Sequence, residues 1–170
     1  WSRHKGAHVS RSVQNALEFI RLSNAAEQPA VRVMLSMAGL ESLLCSGPTD
    51  ITKSVARRSA FLLAPSASQR PRWRDRFAAL YTRRSKFVHG TMTELRSDEA
   101  ECTAVWLNEV LRALLHLYQY MAATDAGPAS IPELPKVLRM IDNDLDAGKE
   151  LPTGFVARPD LEKAVGLDDV

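Results

Sequence analysis

Apolar residues recur at helical rather than strand spacing along nearly the whole chain, and the runs end where helix breakers stand. The first run puts Val13, Ala16, Leu17 and Ile20 on one face of a helix over residues 10–23. A second predicted helix covers 29–45, with Pro29 in its first turn and Gly47-Pro48 behind it. A third takes Thr49 or Asp50 as N-cap and reaches 63, ahead of Pro65. The fourth spans 71–89, because Gly90 suits the position past a C-cap. The fifth follows Ser97, opens on an acidic turn and runs to 123, burying Leu107, Val110, Leu111, Leu114, Leu117, Tyr118 and Met121. A sixth opens at Ser130 or Pro132, carries Leu134, Val137, Leu138, Ile141 and Leu145 on its apolar face, and stops at Gly148. The expected fold is all-α, a bundle of five to six helices with up-down packing at its centre.

Length and composition narrow this further. The 170 residues suit one helical domain over 9–147 and a polar tail over 148–170, anchored by Phe155, Leu161 and Val165. A hydrophobic share of 45% with 25% charge excludes wholesale disorder. No apolar run approaches the ~18 residues of a membrane span, so no membrane partner is expected. Cys45 and Cys102 are too few for a disulfide framework and fit a reducing, cytoplasmic compartment. The chain opens on Trp1 rather than Met, so upstream sequence is expected.

Charge is unevenly placed. Residues 1–123 carry 17 Lys+Arg against 10 Asp+Glu, whereas 124–170 carry 5 against 10. The basic excess peaks at Arg70, Arg72, Arg74, Arg76, Arg83, Arg84 and Lys86, opposed only by Asp75. Such a cluster attracts phosphates, although a solvated helix face gives the same pattern.

Within that cluster, Trp73, Phe77, Leu80, Tyr81, Phe87 and Val88 form one apolar stripe, and Arg84 falls on it. Arg83 points about 100° away, outward. A guanidinium on a buried face must be paired or must hold an anion. His89 stands at the tip of the same helix, about 140° around from Arg84 in regular geometry, where a terminal side chain can swing. Imidazole is a natural proton carrier near neutral pH and guanidinium a natural clamp for phosphoryl oxygens. Arg-x4-His alone is a weak pattern, and without other support a structural capping histidine is the favoured explanation. Glu41, facing Met34, Met37, Ala38 and Leu44, and Arg58, facing Ile51, Val55 and Leu62, are opposite charges on buried faces of adjacent helices. They are expected to pair and to support Arg84.

The order Gly-Leu-Glu41-Ser-Leu-Leu, then Val-Ala-Arg-Arg58-Ser-Ala-Phe-Leu-Leu, then Leu-Tyr81-Thr-Arg-Arg84-Ser-Lys-Phe-Val-His89-Gly90 resembles the HEPN domain. More narrowly, it resembles the ApeA-like HEPN group of bacterial phage-defence proteins, over roughly residues 30–120. The resemblance implies an all-α, dimeric, metal-independent and cofactor-free endoribonuclease marked by Arg-x4–6-His. On that pattern Arg84 and His89 match the catalytic pair, with Ser85, Glu41, Arg58 and Tyr81 in support and Arg83, Lys86 and Arg76 along the RNA. It also implies a position at the C-terminal end of a longer chain, with an upstream sensor domain or regulatory partner. Ser85 departs from the Asn, Asp or His often found after the arginine. The alternative is therefore a catalytically inactive HEPN module that dimerises and binds RNA or protein.

Other patterns carry less. His4 and His8 have metal-like spacing without an acidic or cysteine partner, so no metal site is expected. His116 lines up with Glu109, Arg112 and Gln119 on a solvent face of the fifth helix. Asp142-Asn-Asp144-Leu-Asp146 is similar to a calcium loop but has Ala147 and Thr153 where glycine and glutamate are required, leaving solvated carboxylates. No phosphate-loop or dinucleotide motif is present. A third reading makes the fourth helix a DNA-recognition helix, in which Arg70, Arg72, Arg74 and Arg76 matter more than His89.

Overall fold

The structure, a computed structural model, describes residues 11–45, 47, 49–64, 66–124, 133–150, 160–165 and 167. Among these the chain is all helical: α1 (Arg11–Ala25), α2 (Pro29–Leu44), α3 (Ile51–Leu63), α4 (Arg70–Val88), α5 (Ser97–Thr124), α6 (Leu134–Asp146) and α7 (Leu161–Ala164). A short 3₁₀ turn, Ala67–Gln69, leads into α4. The first six coincide with the predicted helices to within a few residues. Ser130 and Pro132, expected to open the sixth, and Phe155 lie outside the described residues.

Helix α1 packs on α2, α2 on α5, α3 on α4, and α6 closes over α3. The centre is Leu40, Leu43, Leu62, Trp73, Phe77, Trp106, Leu107 and Leu114, all nearly inaccessible to water. Each fully buried side chain of this kind stabilises the fold by roughly 1.5–3 kcal/mol. Gly39 allows α1, α2 and α5 to meet closely. A Cβ there would stand 2.6 Å from Leu107 Cδ2 and 3.2 Å from Phe19 Cβ.

Several expectations are corrected by this packing. Leu17 is 51% exposed, because the buried seam of α1 runs through Val13, Ala16 and Ser23 instead. Ser23 Oγ and Ser36 Oγ, 2.9 Å apart, satisfy each other across the α1–α2 contact. Val88 is 49% exposed, so the apolar stripe of α4 ends at Phe87. Glu109 is buried beside Arg112, to which its carboxylate is bonded at 2.8 Å, and is not on the solvent face with His116. Asp50 precedes α3 as expected but makes no side-chain cap bond, since its φ of 52° puts it in the left-handed region. Helix α5 begins at Ser97 itself, with the Arg96 carbonyl accepting its first hydrogen bond from Ala100 at 3.1 Å.

The C-terminal segment is tied to the bundle. Leu161, Val165 and Leu167 are buried, and the Val165 carbonyl accepts from Arg76 Nε at 2.9 Å and Cys102 Sγ at 3.4 Å. None of the helices among the described residues is long and apolar enough to cross a membrane.

Candidate functional site

Helix α4 carries Arg84 and His89, the pair expected to act, and an aromatic ladder sets its rotation. Trp73 and Phe77 each stand 5.5 Å from the Trp106 ring of α5, the former edge-on. Phe77 in turn lies 6.2 Å from Tyr81, one turn along α4. With the first two rings buried, Tyr81 must emerge half-buried at the edge of the core, facing α2. Its hydroxyl donates to Glu41 Oε1 at 2.8 Å.

Arg84 follows at the next i+3 position. Its guanidinium carbon sits 5.4 Å above the Tyr81 ring, within cation–π range. The residue is half-buried, and Nε is shut off from water without a hydrogen-bond acceptor. No carboxylate among the described residues forms an ion pair with it. Of the two options open to a guanidinium on this face, pairing with a carboxylate is not taken among the described residues. Burial and the Glu41 carboxylate raise the Tyr81 phenol above its ordinary value, against the opposing Arg84 charge and a hydrogen bond with Thr52. The phenol thus stays a neutral donor, and the order Glu41, Tyr81, Arg84 joins α2 to α4.

His89 is the C-cap of α4 and is exposed. Its backbone N–H donates to the Ser85 carbonyl at 3.0 Å, which is how half-buried Ser85 meets it. Gly90, at φ +70°, donates to Phe87 O at 3.0 Å, and the Thr91 N–H donates to Lys86 O at 2.9 Å. These two bonds form a Schellman closure, which requires the left-handed residue that glycine supplies. The imidazole itself has no hydrogen-bond partner among the described residues. Arg84 and His89 thus occupy the same end of α4, about 7.5 Å apart along its axis and on different sides of it.

The other expected site residues are distributed differently. Arg58, nearly fully buried, places Nε and Nη2 on the two oxygens of Asp142 at 2.9 and 2.6 Å and also donates to the Leu44 carbonyl. The expected Glu41–Arg58 pair is not formed; α6 supplies the carboxylate, and Glu41 is bonded to Tyr81. Arg83 turns outward and is bonded through Nε and Nη2 to Glu99 of α5. Arg76 is half-buried and donates through Nε to the Val165 carbonyl. Lys86 is exposed.

The acidic run in α6 is ion-paired rather than simply solvated: Asp142 to Arg58, Asp146 to Arg57 at 2.6 Å, and Asp144 to Lys149 at 2.9 Å. Among the described residues no group of three His, Cys, Asp or Glu is placed to hold a metal. Cys45, at the end of α2 near Glu41, has its thiol pushed up to about 11 by burial and then by that carboxylate.

Two acids hold arginines in ways not expected from the sequence, where Asp142 reads as a solvated carboxylate and Glu99 only as part of an acidic first turn. Asp142 sits four residues after Leu138, on the apolar face of α6, and a charge at that spacing signals a buried partner. Glu99 sits three residues after Arg96, the spacing at which an acid reaches back to cap its own helix. No family model, curated protein or solved structure matches the chain.

Proposed function

We propose that this chain is a HEPN-type endoribonuclease that cleaves RNA without a metal, with Arg84 and His89 as its catalytic pair. The observation that carries the reading is Arg84: a half-buried guanidinium resting on Tyr81, with no acidic partner among the described residues, at the same helix end as an exposed imidazole. A cation in that setting is matched by an anionic oxygen, and a phosphodiester supplies two.

RNA brings its own nucleophile. The 2′-hydroxyl attacks the adjacent phosphorus, the P–O5′ bond breaks, and the products are a 2′,3′-cyclic phosphate and a 5′-hydroxyl. His89 moves the proton, taking it from the 2′-hydroxyl or giving it to the departing 5′-oxygen. Arg84 holds the non-bridging oxygens as charge builds on them, and Tyr81 with Glu41 fixes the plane of the guanidinium. Because the two side chains leave α4 on different sides, the cleft is assigned to a two-fold homodimer, in which each copy repeats both residues. Lys86 and the outer edge of Arg83 extend the positive surface toward the RNA. In this reading the protein acts in the cytoplasm in anti-phage defence, under an upstream sensor domain or regulatory partner.

Labelled tRNA and mRNA incubated with the purified protein in EDTA test this. Cleavage that EDTA leaves intact and His89→Ala abolishes is the expected result, and sedimentation should show the active species to be dimeric. Ser85 favours a second reading, a catalytically inactive HEPN module, because a short hydroxyl has less reach than the amide, acid or imidazole common at that position. RNA bound but left intact by wild type and His89→Ala alike would select it.

A further inference from the structure

The turn that carries His89 is fastened at both ends, and the second fastening uses residues outside the catalytic pair. At its start the Schellman closure holds Gly90 and Thr91 to the last turn of α4. At its end Leu95 is buried, and the Arg96 N–H donates to Glu99 Oε2 at 2.8 Å. The same carboxylate accepts both Nε and Nη2 of Arg83, which projects from α4 beside Arg84. Glu99 is itself buried. One sequestered carboxylate thus satisfies a donor from the helix before the turn and a donor from the chain leaving it, closing a ring around His89.

We infer that Glu99 is a positioning residue for His89, with Arg83 as its partner, so that Arg83 acts chiefly by holding the turn and only secondarily by touching RNA. The inference rests on the reading of His89 as the proton carrier. A fork-to-carboxylate pair fixes orientation as well as distance. Displacing a reacting group by about 1 Å can cost on the order of 100-fold in rate, so a loosened turn is felt in kcat.

The test compares Glu99→Ala, Glu99→Gln and Arg83→Ala in the full chain, measuring kcat and KM for RNA cleavage. Glu99→Ala and Arg83→Ala should each lower kcat by about tenfold or more and leave KM within about twofold, since transition-state geometry rather than RNA affinity is lost. Glu99→Gln, which keeps one acceptor oxygen but turns the other into a donor, should recover only part of the rate. The Arg83→Ala/Glu99→Ala double variant should be no slower than the worse single variant, because both remove one link. A raised KM with unchanged kcat in Arg83→Ala would overturn the inference and make Arg83 a direct RNA contact.

Amide exchange at Thr91 and Met92 separates this from the nuclease reading. Both amides bond to Lys86 O rather than to Glu99, so they report the turn as a whole. Exchange there should quicken about tenfold in Arg83→Ala relative to α1, whether or not RNA is cut. Unchanged exchange would sink the latch even in an active nuclease. A wild-type protein that cuts no RNA would sink the role of His89 and with it the positioning claim. If Glu99→Ala does not fold, Arg83→Ala and Arg83→Lys carry the test, because the Arg83 side chain lies largely at the surface.

Discussion

Two Arg–Asp pairs join α3 to α6 with the same chemistry and different burial, and removing one acid from each should give unequal costs. Arg58 is 6% exposed and Asp142 35%, whereas Arg57 is 35% exposed and Asp146 71%. Taking one partner from a buried pair costs about 3–5 kcal/mol, because the other charge is stranded in a medium that solvates it poorly. Water reaches a third of Asp142 and the Leu44 carbonyl still accepts from Arg58, so Asp142→Ala should cost about 2–3 kcal/mol. The outer pair is screened, and Asp146→Ala should cost no more than about 1 kcal/mol. Urea unfolding followed by the fluorescence of Trp73 and Trp106, both buried, reads the difference. With a slope of about 2 kcal/mol/M, the first variant should lose roughly 1–1.5 M in midpoint and the second less than about 0.5 M. The combined Arg58→Met/Asp142→Leu variant should regain part of the loss, since apolar replacement removes the stranded charge but leaves the Leu44 carbonyl without its donor. Equal midpoints for Asp142→Ala and Asp146→Ala would refute the reasoning.

Gly39→Val should destabilise by about 2–3 kcal/mol in the same assay, because branched carbons would be driven into Leu107 and Phe19; a neutral result would mean that α5 can yield there. Gly90→Ala should cost about 1 kcal/mol, as alanine is strained at φ +70°, and should also slow any RNA cleavage by disturbing the His89 cap; unchanged stability would contradict the Schellman assignment. Stability should fall from pH 9 toward 11: the thiols of Cys45 and Cys102 rise in the fold from 9.0 to about 11, so across this window the unfolded chain loses protons that the native state keeps. A flat urea midpoint over that range, or an equal fall in the Cys45→Ala/Cys102→Ala variant, would count against it.

Helices were legible wherever a strong apolar period met a strong stop. Pro29, Gly90 and Gly148 each act through the backbone, and their effect does not depend on distant partners. Tertiary choices were less legible. Leu17 has the right spacing for the core, yet the α1 seam passes instead through Ser23, whose hydroxyl finds Ser36 on α2. The buried charges show the same limit: periodicity placed Glu41 and Arg58 on inward faces, but three helices supply possible partners. Tyr81 took Glu41 and Asp142 took Arg58 because crossing geometry, absent from any linear pattern, sets which atoms meet. Arg84 and His89 were legible as chemical types at one helix end. That Arg84 has no acidic partner among the described residues is a property of the packed bundle alone.

The most direct measurement is cleavage of labelled RNA in EDTA by wild type, Arg84→Ala and His89→Ala, each first shown to have the wild-type circular dichroism spectrum and sedimentation. The account predicts cuts ending in 2′,3′-cyclic phosphate for wild type and at least about 100-fold slower cleavage for both variants. Cleavage by either variant at the wild-type rate, or intact RNA with wild type under every activating condition tried, would contradict it.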